Sequence, residues 1–574
     1  MLKYQFRTQD LASSQRLQAD GLPAWLANLC ASRGVTQAED VQPKLPGLLH
    51  FQSMRNIDAS ARRIAQAIEN GERIVVVGDY DADGATATAV AILGLRMMGA
   101  QDPQFVVPDR FKHGYGLGPA VVEVAAGKSP SLIITVDNGI AAFAGIDEAR
   151  RRGIDVVVTD HHLAGDRLPD TPWIVNPNQP QCGFEGKNTA GVGVMFYTLL
   201  AVRALMLQAG RWTPQSKPAL EGLLDLVALG TVADVVRLDA NNRRLVGAGI
   251  NRIRQGVTRP LIRHLFEASR RMASHACSSD LGFYVGPRIN AAGRMKDMSL
   301  GIQGLLCDDD ARAQEIAAGL DTINRDRRET QKQMEDEAVE MLAGIEVDSS
   351  ACGMVLYKRQ WHEGVIGLLA SRIKERRWRP TLVFCDDHDG NLKGSGRSVP
   401  GLHLRDAIDW LDRLHPGIVL KFGGHAMAAG LTIHKDGLDV FKEAFDQICA
   451  ERLSPEALQN CLLLDEPPDW PLVSLDTALQ IERLVWGQGF DEPVFGGALP
   501  LRKQEVIKDA HLKLEINAGA GRIIRGICFN RTQPIEPQHL CAWSLVVERW
   551  KDRVTPSIRV NHVFADSTRA DAAS

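Results

Sequence analysis

Between residues 73 and 160 the sequence alternates short β-branched runs with alanine-rich segments, and this alternation restricts the possible folds most. The runs RIVVVG, SLIITV and IDVVVTD are separated by helix-forming stretches such as ATATAVAILGLRMMGA and IAAFAGIDEARRRG. Strands that alternate with helices along a chain form a parallel sheet with helices on both faces. The sequence therefore predicts an α/β domain built on a parallel sheet.

Each of these runs ends at a polar cluster: GDYDADG at 78–84, DNG at 137–139 and DHH at 160–162. The carboxyl ends of parallel strands lie at one edge of the sheet, where α/β folds bind their ligands. Taken singly, the clusters are also ordinary turns, helix N-caps or a structural histidine. Together they would crowd several carboxylates into one crevice, which like-charge repulsion disfavours unless cations neutralise them.

The residue types in these clusters indicate the cation. Carboxylates with one or two histidines and no thiolate suit Mg²⁺ or Mn²⁺, and imidazole favours Mn²⁺. Two ions about 4 Å apart can clamp the attacking and leaving oxygens of a phosphodiester displacement. The candidate ligands, enough for two ions, are Asp79, Asp81, Asp83, Asp137, His161 and Asp234. Asp160 is expected to orient an imidazole, and His162 either donates to a substrate phosphate or is a buried structural histidine.

Further domains are predicted along the rest of the chain. The charged segment NRDRRETQKQMEDEAVEMLA predicts a solvent-bridging helix. A second α/β unit follows, and the last hundred residues contain short alternating runs typical of an OB-like β-barrel. The predicted divisions are an N-terminal helical segment (1–50), a catalytic α/β domain (51–315), a connecting helix (316–345), an associated α/β domain (346–462) and the barrel (463–574).

Two glycine-rich patches lie in the second α/β unit, GSGRS at 394–398 and GGHAMAAG at 423–430. Glycines at 394 and 396 would let backbone amides approach an anion, and Ser395 and Arg397 would add a hydroxyl and a guanidinium fork. A plain glycine-rich turn is the alternative interpretation.

Composition sets broader limits. A net charge of −4 and a pI of about 6.4 do not indicate a nucleic-acid binder, so a polyanion must be held by a local basic patch. Candidate patches are 371–380, 241–256 and 325–328, each of which is more simply a solvated helix face. Ten cysteines without a CxxC pair, and a start without an apolar leader, indicate a reducing cytosol. Membrane insertion is not expected, since no uncharged apolar run approaches about 18 residues.

The motifs DYDADG, VDNG, VTDHH and GTVADVV, in this order, resemble the DHH phosphoesterases. With GPRINAAGR (286–294), GSGRS, GGHAMAAG and the barrel, the chain is similar to the bacterial single-strand-specific exonucleases of that family, from about residue 45 onward. The resemblance implies metal ligands at Asp81, Asp83, Asp137, His161 and Asp234, with Asp79 also at the metals and His162 near the scissile phosphate. Val77 stands where several members have a histidine, which leaves the coordination of one ion open.

The resemblance also implies a site for the end of the strand. The GSGRS loop, helped by Arg288 or Arg294, would bind a terminal 5′-phosphate, and the two arginines are not separated by sequence. His425 would approach the nucleotide, although a histidine that caps a turn is the alternative.

The leading hypothesis is metal-dependent hydrolysis of single-stranded DNA from its 5′ end, releasing mononucleotides, in DNA repair and recombination. One alternative is a DHH phosphodiesterase that acts on short oligonucleotides or cyclic dinucleotides, and another is a non-catalytic replication accessory protein. The C-terminal hundred residues favour a polymer substrate, and the intact ligand positions argue against a non-catalytic role. Expected partners are single-stranded DNA, a single-strand-binding protein and a recombination-repair helicase. A cytoplasmic monomer, away from membranes, is expected, and the resemblance alone supports the polarity.

Overall fold

The computed structural model describes residues 2–42, 44–109, 116–165, 167–343, 351–387, 389–424, 426–551 and 553–564. The N-terminal segment contains β1 (Lys3–Phe6), α1 (Leu11–Ala19) and α2 (Ala24–Ala31). The predicted helical segment therefore begins with a strand.

The first domain is built on a parallel sheet. Its strands are β2 (Ile74–Val77), β3 (Gln104–Val106), β4 (Leu132–Val136), β5 (Asp155–Thr159) and β6 (Ile174–Val175). They lie in the order β3-β2-β4-β5-β6, and every pair is parallel. Ile74 and Val76 belong to one apolar cluster and Val75 and Val77 to another, because successive strand side chains point to opposite faces. The predicted sheet, buried on both faces, is confirmed.

Helices cover both faces of this sheet. They are α3 (Ile57–Glu69), α4 (Ala82–Met97), α5 (Pro119–Ala126), α6 (Phe143–Arg151) and α7 (Gly191–Gln208). Helices α3, α4 and α7 pack on one face, and α5 and α6 on the other. By length and hydropathy α7 could cross a membrane, but 67% of it is buried inside the fold. It is therefore explained as a core helix.

A helical layer completes the domain. It consists of α8 (Leu224–Ala233), α9 (Ala240–Arg254), α10 (Pro260–Ala268), α11 (Ser278–Asp280), a π-helical turn (Leu281–Val285), α12 (Gly286–Met295) and α13 (Ser299–Leu306). Helix α8 packs against α4 and α9. A Cβ atom at Gly230 would lie 2.9 Å from Asp83 Oδ1, so the C-terminal end of α8, which is followed by Asp234, lies beside the start of α4.

The connecting helix α14 (Asp310–Ala343) is 34 residues long. It begins before the predicted boundary at residue 316 because Asp309 caps it, accepting a hydrogen bond from the Arg312 amide at 2.7 Å. The helix is less solvated than predicted. Leu320 packs into the core of the first domain, and Met334 packs into that of the second.

The second α/β domain is smaller. It contains β7 (Met354–Tyr357), α15 (Ile366–Arg377), β8 (Thr381–Asp386), β9 (Leu392–Arg397), α16 (Leu404–Leu414), β10 (Val419–Gly424), β11 (Ala428–Ile433) and α17 (Leu438–Arg452). The sheet order is β10-β11-β9-β8-β7, with only β7 and β8 parallel.

The C-terminal domain is a mixed sheet with one helix. Its elements are β12 (Cys461–Leu464), α18 (Leu475–Arg483), β13 (Phe495–Gly497), β14 (Leu501–Ile507), β15 (His511–Asn517), β16 (Ile523–Cys528), β17 (Leu540–Trp550) and β18 (Arg553–Phe564). The last six strands form one sheet in the order β13-β17-β18-β16-β15-β14. Strand β12 pairs in parallel with β1, so the N-terminal strand is joined to the start of this domain.

The C-terminal domain does not stand apart from the first one. Buried residues such as Trp486 and Phe490 belong to the same apolar cluster as the core of the sheet domain. The guanidinium of Arg243 lies 4.0 Å from the ring centroid of Phe490. The basic segment 241–256 thus includes residues that hold domains together.

Candidate metal centre

The first acidic cluster lies between β2 and α4. Asp79 and Asp83 are buried, and Asp81 is partly exposed. The Asp81 carboxylate caps α4 by accepting a hydrogen bond from the Gly84 amide at 3.0 Å. A Cβ atom at Gly84 would lie 2.7 Å from the Asp79 backbone. Glycine is therefore required for the loop to fold back on itself.

Asp83 is held by the start of α7. Its Oδ2 accepts a hydrogen bond from the Gly191 amide at 2.7 Å, and its Oδ1 accepts one from the Val192 amide at 2.9 Å. The partial positive charge of a helix N-terminus stabilises a carboxylate in this position. One ligand atom each from Asp83, His161 and Asp234 lie within 4.8 Å of one another.

Asp137 follows β4 in a left-handed backbone conformation, with φ of 61°. This conformation is uncommon for residues other than glycine, and such strain is concentrated at functional sites. A Cβ atom at Gly191 would lie 2.7 Å from Asp137 Oδ1, so α7 begins directly against this carboxylate. Asp137 forms a second group of possible ligands with Asp79 and Asp81.

His161 links these two groups. Its Nε2 lies 3.1 Å from Asp137 Oδ1 and 3.6 Å from Asp234 Oδ2. This buried nitrogen forms no hydrogen bond with the residues that the structure describes. Burial lowers the pKa of His161, and the neighbouring His162 lowers it further. The ring is therefore neutral, as a metal ligand must be.

Asp160 contacts His162, the second histidine of the DHH motif. Its Oδ1 lies 2.7 Å from Nδ1 of His162 and also accepts hydrogen bonds from the amides of His161 and His162. Burial would raise the pKa of Asp160, but the His162 imidazolium and the hydrogen bonds hold it well below its usual range. Burial would lower the pKa of His162, but the Asp160 carboxylate outweighs this and raises it to about 9. His162 is therefore a cation at neutral pH.

The remaining carboxylates repel one another. Burial and the charge of Asp234 raise the pKa of Asp83 to about 7. Burial and Asp81 raise that of Asp234 to about 7, and burial with several neighbouring aspartates raises that of Asp137 well above its usual range. The charged forms are unstable without a counter-ion, so the centre is suited to cations.

The donor set fits two divalent cations. Asp79, Asp81 and Asp137 form one group and Asp83, His161 and Asp234 another, while a third joins Asp137 to both histidines. Oxygen ligands with one neutral imidazole suit Mg²⁺ or Mn²⁺. Asp137 and His161 belong to two groups each, so either could serve both ions.

These pKa shifts predict how metal affects stability at different pH. An aspartate in the unfolded chain has a pKa of about 3.9, whereas Asp83 and Asp234 titrate at about 7 in the ion-free fold. Their contribution to stability is complete below about pH 4 and is lost as the pH rises through about 7. We expect Mn²⁺ to raise Tm more at about pH 8 than at about pH 6, measured by thermal unfolding against EDTA. Asp234→Asn should reduce this difference, and a shift independent of pH would contradict the expectation.

Several supporting residues were not identified from the sequence. Asn290 accepts a hydrogen bond from the Ala82 amide at 2.8 Å, which fixes the start of α4. The side-chain amide of Asn176 donates to the His162 carbonyl at 2.9 Å, and that of Asn178 donates to the His161 carbonyl at 2.6 Å. The asparagines come from distant segments and carry no local signal of this role.

The two candidate phosphate-binding arginines of α12 differ. Arg288 is buried, and its Nε and Nη2 lie 2.9 and 2.8 Å from Oδ1 of Asp321 on α14. Its guanidinium is thus engaged in an ion pair. Arg294 lies at the boundary with the second domain, where a Cβ atom at Gly364 would be 2.1 Å from its carbonyl oxygen.

The first four residues of the GSGRS segment lie in strand β9 and not in the predicted loop. Gly394 and Gly396 pair on both sides, with β8 and β11, so their backbone groups serve the sheet. They are glycines because a Cβ atom would lie 2.3 Å from Phe384 and 2.6 Å from Leu382, respectively. The expectation that their amides approach an anion was therefore wrong.

Ser395 and Arg397 point to the other face of β9, toward the start of α15. A Cβ atom at Gly367 would lie 2.8 Å from Ser395 Oγ and 3.2 Å from Arg397 Nη2. Arg397 Nη1 donates to the Gly396 carbonyl at 2.8 Å, and no carboxylate among the described residues pairs with it. Burial lowers the pKa of this arginine. An unpaired guanidinium beside a helix N-terminus can bind an anion.

His425 lies outside the described residues.

Three known domain families together match most of the chain. Residues 73–231 match the DHH family N-terminal domain, residues 350–451 the DHHA1 domain, and residues 465–562 the RecJ OB domain. These three segments correspond to the sheet domain, the second α/β domain and the C-terminal sheet.

Whole-length relatives share one name. The chain is 46% identical to the single-stranded-DNA-specific exonuclease RecJ of Dickeya dadantii, over 95% of this chain and 96% of the relative. It is 44% identical to the protein of that name from Escherichia coli, over 93% and 94%. The crystal structure of Thermus thermophilus RecJ with Mn²⁺ matches with a TM-score of 0.82 and 26% identity, covering 100% of this chain and 80% of that one. The same protein was also crystallised with Mg²⁺.

Proposed function

Because this chain belongs to the RecJ family of single-stranded-DNA-specific exonucleases, we propose that its acidic centre hydrolyses phosphodiester bonds of single-stranded DNA. The protein is a metal-dependent nuclease that uses Mn²⁺ or Mg²⁺. The observation that carries this function is the convergence of three possible ligand groups at the carboxyl edge of the parallel sheet. Bound divalent ions supply a nucleophile at neutral pH and stabilise charge on the reacting phosphate.

We assign one ion to Asp79, Asp81 and Asp137 and the other to Asp83, His161 and Asp234. Asp83 is held for this role by the start of α7, and His161 is kept neutral by burial. His162 is proposed to donate to a non-bridging oxygen of the scissile phosphate. Its proton is retained at neutral pH because Asp160 raises its pKa to about 9. The Asp160 carboxylate thus acts through His162 rather than on the substrate.

Digestion is proposed to start at the 5′ end and to release mononucleotides. The support is the pair of Ser395 and Arg397 beside the start of α15, which could hold a terminal phosphate. Both arginines of α12 remain candidates for an additional contact: Arg288 is paired with Asp321, and Arg294 lies at the boundary with the second domain. His425 retains its proposed role near the nucleotide.

Arg397→Gln is expected to lower kcat/KM on 5′-phosphorylated strands by about 10- to 100-fold. The reason is the loss of a charge-assisted contact that contributes about 1.5–3 kcal/mol. Strands with a 5′-hydroxyl should be affected less than about threefold. The measurement is steady-state digestion of paired oligonucleotides that differ only at this end.

Arg413→Gln is the matched control, because Arg413 forms an exposed ion pair with Asp409 in the same domain. It should leave both substrates unaffected. Equal losses on both substrates in Arg397→Gln would instead assign Arg397 to internal backbone contacts or to folding.

The experiment that tests the function is digestion of oligonucleotides labelled at either end, single- and double-stranded, with Mn²⁺, Mg²⁺ or EDTA. We expect labelled mononucleotide to be the first product from 5′-labelled single strands, and no digestion in EDTA. Cleavage restricted to very short oligonucleotides or cyclic dinucleotides would contradict the proposal.

We further propose that the protein acts as a cytoplasmic monomer in DNA repair and recombination. Its ten cysteines are all free, which suits a reducing compartment. A single-strand-binding protein and a recombination-repair helicase are the proposed partners, because both present single strands to an exonuclease. Copurification of each partner with the full chain would test this association.

A further inference from the structure

Arg327 on α14 is a buried cation that has no acidic partner in the described part of the chain. Only 9% of the residue is exposed. Nη2 donates to Asn324 Oδ1 at 3.0 Å, and Nη1 donates to Gln331 Oε1 at 3.5 Å. Nε has no hydrogen-bond partner among the described residues, and neither does the buried Nδ2 of Asn324. A buried guanidinium normally has a counter-charge because desolvation is costly, and none of the described residues supplies one to Arg327, so this side chain is suited to bind an anion.

The electrostatic surroundings of Arg327 are positive. Burial, followed by the charges of Arg328 and Arg372, lowers its pKa to about 10. The side chain is still protonated at neutral pH. These arginines come from the basic patches 325–328 and 371–380, which α14 and α15 bring together. The buried guanidinium of Arg327 beside the unsatisfied amide donor of Asn324 suits a phosphate, which offers several acceptor oxygens.

Arg327 also lies between the two parts of the proposed active site. Earlier on α14, Asp321 pairs with Arg288 of α12, the helix whose Asn290 fixes the start of α4. Later on α14, Met334 packs in one cluster with Trp361 of the second domain, and Met295 at the end of α12 packs there too. Arg327 thus lies on the part of α14 that connects the helices around the metal centre with the domain that carries Arg397.

We propose that Arg327, together with Asn324, binds an internal phosphate of the substrate strand. The inference rests on the proposed nuclease function and extends it to a backbone contact away from the 5′-terminal phosphate. In the free protein, Arg327 has no counter-charge among the described residues. A phosphate of the bound strand would supply it.

The test uses Arg327→Gln in the full chain. Binding of a fluorescent single strand is measured with Ca²⁺ in place of Mn²⁺, at several salt concentrations. We expect about 10-fold weaker binding and a salt slope shallower by about 0.7, the value for one phosphate contact on a single strand. Tm of the strand-free protein should be unchanged or higher, because an uncompensated buried charge is removed.

Arg312→Gln is the matched control, since Arg312 lies on the same helix in an exposed ion pair with Glu315. It should leave affinity, salt slope and Tm unchanged. A marked fall in the Tm of Arg327→Gln with an unchanged salt slope would overturn the proposal and make Arg327 a structural brace.

A methylphosphonate scan then locates the contact. Single neutral linkages are placed at successive positions of the strand, and digestion is compared between wild type and Arg327→Gln. Support would be an internal position that slows the wild type but not the variant. The proposal would be overturned if Arg327→Gln lost its sensitivity to a neutral linkage only at the 5′-terminal phosphate. It would also be overturned if wild type and variant were slowed equally at every position. Failure of the wild type to bind or digest single strands would count against the nuclease function itself.

Discussion

Asp137→Asn is expected to reduce turnover of single-stranded DNA by about 1000-fold or more at saturating Mn²⁺, which corresponds to about 4 kcal/mol of transition-state stabilisation. Asparagine is the cleanest replacement because it tolerates the left-handed conformation of this position and keeps the size of the side chain against Gly191. The measurement is single-turnover digestion of a 5′-phosphorylated strand.

Strand binding should change by less than about threefold, because other surfaces hold the polymer. Tm of the metal-free variant should rise, since one member of a cluster of mutually repelling carboxylates is removed. Asp147→Asn is the control, because Asp147 is an exposed acid of the same domain paired with Arg150. Near-normal turnover in Asp137→Asn would contradict the assignment of this residue to the metals.

Arg33→Ala is expected to lower the free energy of unfolding by about 3–5 kcal/mol, because the buried Asp465 loses its closest counter-charge and keeps only Arg7, whose Nε lies 3.8 Å from Asp465 Oδ1. Arg33 donates two hydrogen bonds to Asp465, at 2.8 and 2.7 Å, and the two side chains are 1% and 2% exposed. This pair joins the N-terminal helices to the strand that enters the C-terminal domain. Urea unfolding of the full chain measures the effect.

The double variant Arg33→Met with Asp465→Leu should recover much of the lost stability, because apolar side chains can replace a buried ion pair. Arg413→Ala, at an exposed pair, should cost less than about 1 kcal/mol. A small effect of Arg33→Ala would mean that the C-terminal domain is held mainly by apolar contacts such as those of Trp486 and Phe490. In either case, deleting the chain from residue 465 would expose shared core, so substitutions are the better probes of this domain.

Local patterns in the sequence were sufficient for the sheet and for the acidic centre. The β-branched runs before Asp79, Asp137 and Asp160 predicted buried parallel strands. Parallel strands end at one edge, so the carboxylates that follow them must converge. The convergence is confirmed by the geometry, although the role of each ligand stays a prediction.

Local patterns failed where the determining contact lies far along the chain. The glycines of GSGRS suggested a loop, but they are small because Phe384 and Leu382 of the neighbouring strand occupy the space of a side chain. A glycine selected for packing looks the same in sequence as one selected for a turn.

Arg327 shows that local sequence also does not predict whether a charged side chain is buried or has a partner. In the sequence it belongs to a run of arginines on a helix, for which solvation is the simplest interpretation. Tertiary packing buries it, and only the folded structure shows that no described residue supplies its counter-charge. The sequence by itself thus determined the sheet, the order of the domains and the convergence of the acids, because each follows from local periodicity or from the shared edge of parallel strands. The anchoring of Asp83 by α7, the pairing of β1 with β12 and the unpaired charge at the domain junction were decided by contacts between distant segments, which leave no local pattern.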